Sequence, residues 1–221
     1  MNNNSDWHLQ TQNGDYLDLS VKRLSSPILV WVKQFTEIIN EHIDFFNKSV
    51  VKINDIGCNV GHFYRNIDKI EHKIEYTGFD ISKTYLDIAR QHFANTNFIL
   101  EDVAAKNFDI NKYNCDITIM SATLEHIHNY EQLLENIFKS TRKLVIIRTF
   151  LGEESRFDEC LKPDAKQSYI IRQFKIDDLK DRNFNKGWTC KQVTDLATDG
   201  LEKEVGEHIF RTQKVIIFTN D

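Results

Sequence analysis

Apolar positions fall into two alternating rhythms from about residue 50 onward. Short continuous apolar runs at Val50–Ile56, Ile74–Phe79, Asn97–Leu100, Asp116–Met120 and Leu144–Thr149 read as strands. Between them, Val60–Ile70, Lys83–Phe93 and Tyr130–Ser140 carry apolar residues at helical spacing; in the last of these, Leu133, Leu134, Ile137 and Phe138 share one side. Short apolar strands alternating with amphipathic helices predict a parallel sheet covered on both faces. Upstream, Ile28, Trp31, Val32, Phe35, Ile39, Ile43 and Phe46 form another helical stripe, with Ser25-Ser26-Pro27 as its start signal. The residues before Ser26 are polar with scattered aromatics and read as an arm. After Phe150 the rhythm changes. Gly152–Ser168 is polar and irregular, a lid or a solvated excursion, and Ile176–Asp181 reads as a short helix. Trp188–Asp195 and Gln213–Thr219 follow as two strands with no helix between them, so a hairpin closes the fold. The division this suggests is an arm and covering helix over residues 1–48 and an α/β domain over 49–221.

Composition narrows the class without choosing a function. Of 221 residues, 41% are hydrophobic and 28% charged, enough for a substantial core in a water-soluble chain. The net charge of −5 argues against a broad nucleic-acid surface, which needs a basic face. The opening Met-Asn-Asn-Asn-Ser-Asp lacks the basic-then-apolar form of a signal peptide, and no apolar run is long enough to span a bilayer. Cys58, Cys115, Cys160 and Cys190 are scattered and form no Cys-x-x-Cys pair. They read as reduced thiols, and the expectation is a cytoplasmic protein.

The chemistry is concentrated where strands end. In a doubly wound sheet, ligands bind beyond the carboxyl ends of the strands. The first strand runs into Asp55-Ile-Gly57-Cys58-Asn59-Val-Gly61, an acid followed by a glycine turn and a predicted helix start. Such a turn offers backbone N–H groups and a helix N-terminus to an anionic ligand. The second strand ends at Asp80, where a carboxylate can accept two hydrogen bonds from a ribose diol; its bland reading is a helix cap, a role for which Ser82 is better placed. The third ends at Glu101-Asp102-Val103, where Asp102 suits an exocyclic adenine amine and the Val103 N–H the ring, against the plain reading of a turn acid. The fourth ends at Ser121-Ala-Thr-Leu-Glu125-His126-Ile-His128. A dinucleotide fingerprint from Gly57 would need glycine at positions 59 and 62, and the chain has Asn59 and His62. The smaller amino-acid tail of S-adenosylmethionine makes less demand on that spot.

From about Val50 to its end, the chain resembles the class I S-adenosylmethionine-dependent methyltransferases, in their small-molecule branch. Asp55-Ile-Gly57-Cys58-Asn59-Val-Gly61 resembles that family's first motif, with Asn59 where a glycine is usual. Gly-Phe-Asp80-Ile81-Ser resembles its ribose-binding acid, Glu101-Asp102-Val103 its adenine corner, and Ser121-Ala-Thr-Leu-Glu125-His126-Ile its segment after the fourth strand. The resemblance implies a mostly parallel, doubly wound sheet of seven strands, closed by a C-terminal antiparallel hairpin strand, with helices on both faces. It implies S-adenosyl-L-methionine as cofactor, held by Asp55, Gly57, Cys58, Asn59, Gly61, Asp80, Ile81, Asp102, Val103 and Ser121.

Methyl transfer from a sulfonium needs mainly an aligned nucleophile and a dry site. A general base is needed only if the acceptor loses a proton in the step; Glu125, His126 and His128 are the candidates, against a role in supporting the cofactor loop or capping the next helix. No metal is expected: Ala122 stands where the magnesium-dependent RNA-end enzymes carry the first acid of Glu-x-x-Glu-His. Trp7, His8, Tyr16, Arg148, Tyr169 and Arg172 are candidates for the acceptor pocket, each set against an ordinary packing role. The expected acceptor is a small molecule, a sugar or other biosynthetic metabolite. The alternatives are methylation of a macromolecule (tRNA or protein) and a non-catalytic adenosyl-binding partner subunit. Oligomeric state is not legible.

Overall fold

A computed structural model describes residues 14–161, 168–180, 182–206 and 208–220. Two helices, α1 (Asp15–Ser25) and α2 (Val30–Glu41), precede the sheet. Strands β1 (Val51–Ile56), β2 (Ile74–Asp80), β3 (Asn97–Leu100), β4 (Cys115–Ser121) and β5 (Thr141–Gly152) follow. Helix α3 (Lys83–His92) links β2 to β3, and α4 (Tyr130–Ser140) links β4 to β5. Then come β6 (Arg156–Leu161), β7 (Ser168–Lys175), β8 (Thr189–Thr194), β9 (Glu202–Gly206) and β10 (Ile209–Thr219). Seven strands run in the order β3-β2-β1-β4-β5-β10-β8. The first five are mutually parallel, and β10 inserts antiparallel between β5 and β8. This is the doubly wound sheet with an antiparallel closure that the apolar rhythm implies.

Alternation along the central strands builds two cores. Ile53, Ile117, Ile119, Leu144, Ile146, Val215 and Ile217 face one side, under Val32, Phe35 and Ile39 of α2 and Leu86 and Ala89 of α3. Met120, Val145, Ile147, Ile216 and Phe218 face the other, under Leu133, Leu134, Ile137 and Phe138 of α4. A strand buried on both faces cannot alternate apolar with polar, which explains the continuous apolar runs. Helix α2 belongs to the same core as the sheet. Its Gln34 also donates to the Thr194 carbonyl and accepts from the Leu196 N–H, tying α2 to the end of β8.

Four sequence expectations need correction. Residues 60–70 form no α-helix: a turn leads into a 3-10 helix at Tyr64–Lys69. Asn59 and Gly61 hold left-handed φ angles of 54° and 86°, which interrupt helical propagation. Packing reinforces this, since Phe63 is buried in the core and the Tyr64 ring meets those of Tyr76, Phe93 and Phe98. The arm is helical where described, as α1; Ser25 and Ser26 donate their hydroxyls to the Lys22 carbonyl and so finish α1, while α2 begins only after Leu29. Gly152–Ser168 contains β6, which pairs antiparallel with β7 and is tied by Asp158 to Arg211 of β10. Ile176–Asp181 is reduced to a 3-10 turn at Ile176–Asp178. Trp7 and His8 lie outside the described residues. Among the described residues, no helix is long and apolar enough to cross a membrane.

Candidate functional site

Strand β1 lies between β2 and β4, so the chain leaves its carboxyl end toward one half of the sheet and returns in the other. A crevice opens at such a reversal. The pocket there is lined by Asp55, Gly57, Cys58, Asn59, Asp80 and Ile81, by Glu101 to Ala104, and by Ser121 to Thr123. Every cofactor-binding residue expected from the sequence lies on it except Gly61, whose N–H turns back to the Cys58 carbonyl.

The glycine loop is built differently from the expectation. Gly57 has φ 71°, and a Cβ there would fall 2.3 Å from Thr123 Oγ1. Glycine is therefore required by the packing of the loop against the segment after β4. Asn59 occupies the left-handed conformation that usually calls for glycine. Asparagine tolerates it best among the other residues, and here its Oδ1 accepts the next N–H, from Val60, at 2.8 Å. Asn59→Gly is thus expected to leave the melting temperature nearly unchanged. Asn59→Val places a β-branched side chain at φ 54° and should cost about 1–2 kcal/mol, a fall of several degrees in the melting temperature. Equal melting points for the two variants would show that the loop does not hold this conformation.

Asp80 organises the loop. Its Oδ2 accepts the Asn59 N–H at 2.9 Å and its Oδ1 the Ser82 N–H at 2.8 Å, while the Ser82 hydroxyl accepts the Tyr85 N–H and caps α3. Each carboxylate oxygen can accept more than one hydrogen bond, so these ties are compatible with a diol on the pocket side. Asp55, beneath the loop, is buried and accepts from the Tyr76 hydroxyl at 2.7 Å. Burial pushes its carboxyl up to about 7; the Tyr76 hydroxyl pulls it down and the Asp80 charge adds to the rise. The Cys58 thiol is buried against Gly78, and burial holds it well above the ordinary thiol range, so Cys58 meets the pocket as an unreactive residue. At the third strand end, Asp102 Oδ1 accepts the Ala104 N–H, the turn role weighed for it, while still lining the pocket. Asn136 of α4 donates to the Val103 and Ala105 carbonyls and sets that corner from the far side.

The candidates after β4 separate. His126 lines the pocket and donates from Nδ1 to the Ile170 carbonyl at 2.9 Å, which makes Nε2 the lone-pair nitrogen. Burial lowers its pKa to about 4 against the pull of that carbonyl, so the ring is neutral at pH 7. Glu125 is fully buried and off the pocket lining. Its Oε2 accepts from the Thr149 hydroxyl at 2.9 Å, and its Oε1 has no hydrogen-bond partner among the described residues. Burial pushes this carboxyl up to about 7, opposed by its own backbone N–H, Thr149 and the Arg148 charge. His128 is exposed and also off the lining. Arg148 lines the pocket, but its Nε and Nη2 are bound bidentately to buried Asp195. Arg172 lies between the rings of Tyr130 and Phe157, away from the lining, which accounts for it as a packing residue.

A roof completes the site. Tyr16 and Arg23 of α1, Leu29 and Trp31 at the start of α2, and His62 close over the pocket. Of these, only Tyr16 was singled out for the site from sequence. Arg23 and His62 carry no local signal beyond falling near other motifs, and a fold is needed to place them. Four carboxylates, of Asp55, Asp80, Glu101 and Asp102, and two arginines, Arg23 and Arg148, share the lining. Carboxylates at the ends of β2 and β3, with apolar Ile81, Phe79, Val103 and Leu133 beside them, fit an adenosine with its ribose diol.

Residues 54–143 match a family model described as a methyltransferase domain. The chain is 28% identical over 109 residues to a malonyl-[acyl-carrier protein] O-methyltransferase of Bacillus cereus, an alignment covering 48% of this chain and 39% of that relative. The chain therefore matches well under half the length of that curated relative. Among solved structures, an S-adenosylmethionine-dependent methyltransferase of Methanosarcina mazei superposes with a TM-score of 0.59 at 14% identity, covering 80% of this chain and 96% of that one. The 1,6-didemethyltoxoflavin-N1-methyltransferase of Burkholderia thailandensis gives 0.58 at 14% identity, covering 86% and 79%. Magnesium protoporphyrin IX methyltransferase of Synechocystis gives 0.54 at 14%, covering 97% and 90%.

Proposed function

We propose that this chain is a class I S-adenosylmethionine-dependent methyltransferase, a reading its fold and the methyltransferase-domain match over residues 54–143 support, and that it methylates a small-molecule acceptor under its N-terminal roof. Its cofactor is S-adenosylmethionine, which supplies a methyl group already activated on a sulfonium. The observation that carries the reading is a single pocket shared by the strand-end carboxylates and the roof residues Tyr16, Leu29 and Trp31. A roofed site favours an acceptor small enough to be enclosed. The solved relatives named for toxoflavin and protoporphyrin substrates support the same class. The relative named for a malonyl-[acyl-carrier protein] acceptor favours a second reading, a small acyl group presented on a carrier protein.

In the proposed reaction, Asp80 and Asp102 anchor the adenosine end. The roof excludes water, so that positioning supplies most of the rate. His126 stands beside the acceptor as a neutral ring held by the Ile170 carbonyl, and not as a general base for an acceptor hydroxyl or amine proton. With a pKa of about 4 it is too weak a base to keep that proton. Glu125 supports the segment through Thr149 without touching the acceptor. His128 has no part in this scheme. The buried thiols of Cys58 and Cys115 suit a reducing, cytoplasmic setting.

S-adenosylhomocysteine at a hundredfold excess over its dissociation constant should stabilise the folded state by about 2.7 kcal/mol, a rise of at least 5 °C in the melting temperature. NADH should give no shift. Transfer of labelled methyl into a panel of small metabolites, with and without carrier-protein conjugates, then identifies the acceptor. A shift with NADH and none with the adenosyl ligand would refute the proposal.

A further inference from the structure

The methionine tail of the cofactor carries an α-carboxylate, and the glycine loop has no N–H left to receive it. Gly57 and Cys58 both donate to the Phe79 carbonyl at 2.8 and 3.0 Å. Asn59 donates to Asp80, Val60 to the Asn59 side chain, and Gly61 to the Cys58 carbonyl. No α-helix begins behind the loop, so no helix N-terminus takes their place. With Asp55 and Asp80 beside it, that part of the pocket suits the α-amino group and the sulfonium, and repels a carboxylate.

The carboxylate must therefore meet a cation elsewhere on the lining. His62 and His126 are buried neutral rings. Arg148 has spent its fork on Asp195. Arg23 is half-buried on the lining and makes no ion pair with any described residue. Its position is set by the two residues that follow the glycine loop most closely on this side. His62 donates from Nε2 to the Ser20 carbonyl at 2.9 Å, and Arg65 donates to the carbonyls of Arg23 and Ser26 at 2.6 and 2.8 Å. The last turns of α1 are thereby clamped to the loop's own extension, and the Arg23 charge reaches both Tyr16 and His62.

We propose that Arg23 of α1 is the ion-pair partner of the cofactor's α-carboxylate. A guanidinium matches a carboxylate with two parallel hydrogen bonds, and a partly buried pair is less screened than a surface one. The inference rests on S-adenosylmethionine as the cofactor. It makes α1 part of the cofactor site as well as a cover for the acceptor.

Calorimetry on the full chain separates the possibilities, using S-adenosylhomocysteine and its decarboxylated analogue, which lacks only the carboxylate. The wild type should prefer S-adenosylhomocysteine by tenfold or more. Arg23→Ala should weaken S-adenosylhomocysteine at least tenfold and leave the analogue within twofold, so that the preference collapses; Arg23→Lys should keep part of it. Because Arg65 grips the main chain of residue 23, both variants retain the clamp. Unchanged binding of S-adenosylhomocysteine by Arg23→Ala, or an equal loss of both ligands, overturns the proposal. Failure of the wild type to bind either ligand would instead remove the cofactor reading beneath it.

Discussion

Asp80→Ala is expected to weaken S-adenosylhomocysteine more than a hundredfold in calorimetric titration. Two charge-assisted hydrogen bonds to a ribose diol, at about 1.5 kcal/mol or more each, account for about 3 kcal/mol, and 1.4 kcal/mol is tenfold in affinity. The structure adds a second source of loss. The same carboxylate holds the Asn59 N–H on one oxygen and the Ser82 N–H on the other, so its removal loosens both the glycine loop and the start of α3. Asp80→Asn separates the two effects only in part. An amide keeps one acceptor oxygen and turns an NH2 toward the other N–H, so one of the two ties becomes a donor facing a donor. Asp80→Asn should therefore also bind weakly. Affinity within threefold of wild type for Asp80→Ala would remove Asp80 from the cofactor site.

The second large effect is on stability and depends on pH. Glu125 is a buried carboxyl raised to about 7, with one oxygen lacking a hydrogen-bond partner among the described residues. Its ordinary value is 4.5. Above that value the unfolded chain loses this proton while the folded chain keeps it. The group therefore destabilises the fold progressively as pH rises from 4.5 toward 7, by about 1.4 kcal/mol per pH unit, and levels off above 7. Glu125→Gln removes the titration. The stability of this variant relative to wild type should rise by about 2.5 kcal/mol between pH 5 and pH 8 in urea unfolding. Any fixed cost of the amide cancels in that comparison. Asp55 has the same sign, with a carboxyl also raised to about 7. His62 and His126 act oppositely: lowered to about 4, they contribute stability that is lost as pH falls from 6.5. The wild-type profile between pH 4.5 and 6.5 is flattened by this opposition, which is why the difference between variant and wild type is the informative quantity. A constant difference across pH would mean that Glu125 is ionised in the folded state throughout.

The residues that were legible in advance share one property. Asp55, Asp80, Asp102 and Ser121 each stand at or just past the end of a short apolar strand, and strand ends are a local pattern. Parallel strands then bring those ends to one edge without further information. The polar part of the site was harder. Glu125 and His126 are adjacent in sequence, yet one is buried behind β5 and the other lines the pocket. Which side each takes is decided by Thr149 and by the Ile170 carbonyl, which come 24 and 44 residues later. Arg148 looked like an anion receptor until Asp195 was placed beside it, 47 residues away. Strand β6 was missed because charged residues interrupt its apolar positions, and only its pairing with β7 reveals it.

The sequence by itself determined the mostly parallel sheet, its antiparallel closure and the strand-end acids of the pocket, because apolar periodicity and strand ends are local and parallel strands bring their carboxyl ends to one edge. The tertiary structure alone decided what the loop's N–H groups are used for and which cation faces the pocket. Both depend on hydrogen bonds between segments far apart in the chain: Gly57 and Cys58 with Phe79, Asn59 with Asp80, and α1 with His62 and Arg65. Asn59, which breaks the expected glycine pattern, keeps the glycine's left-handed backbone and supplies its own side chain as the next acceptor.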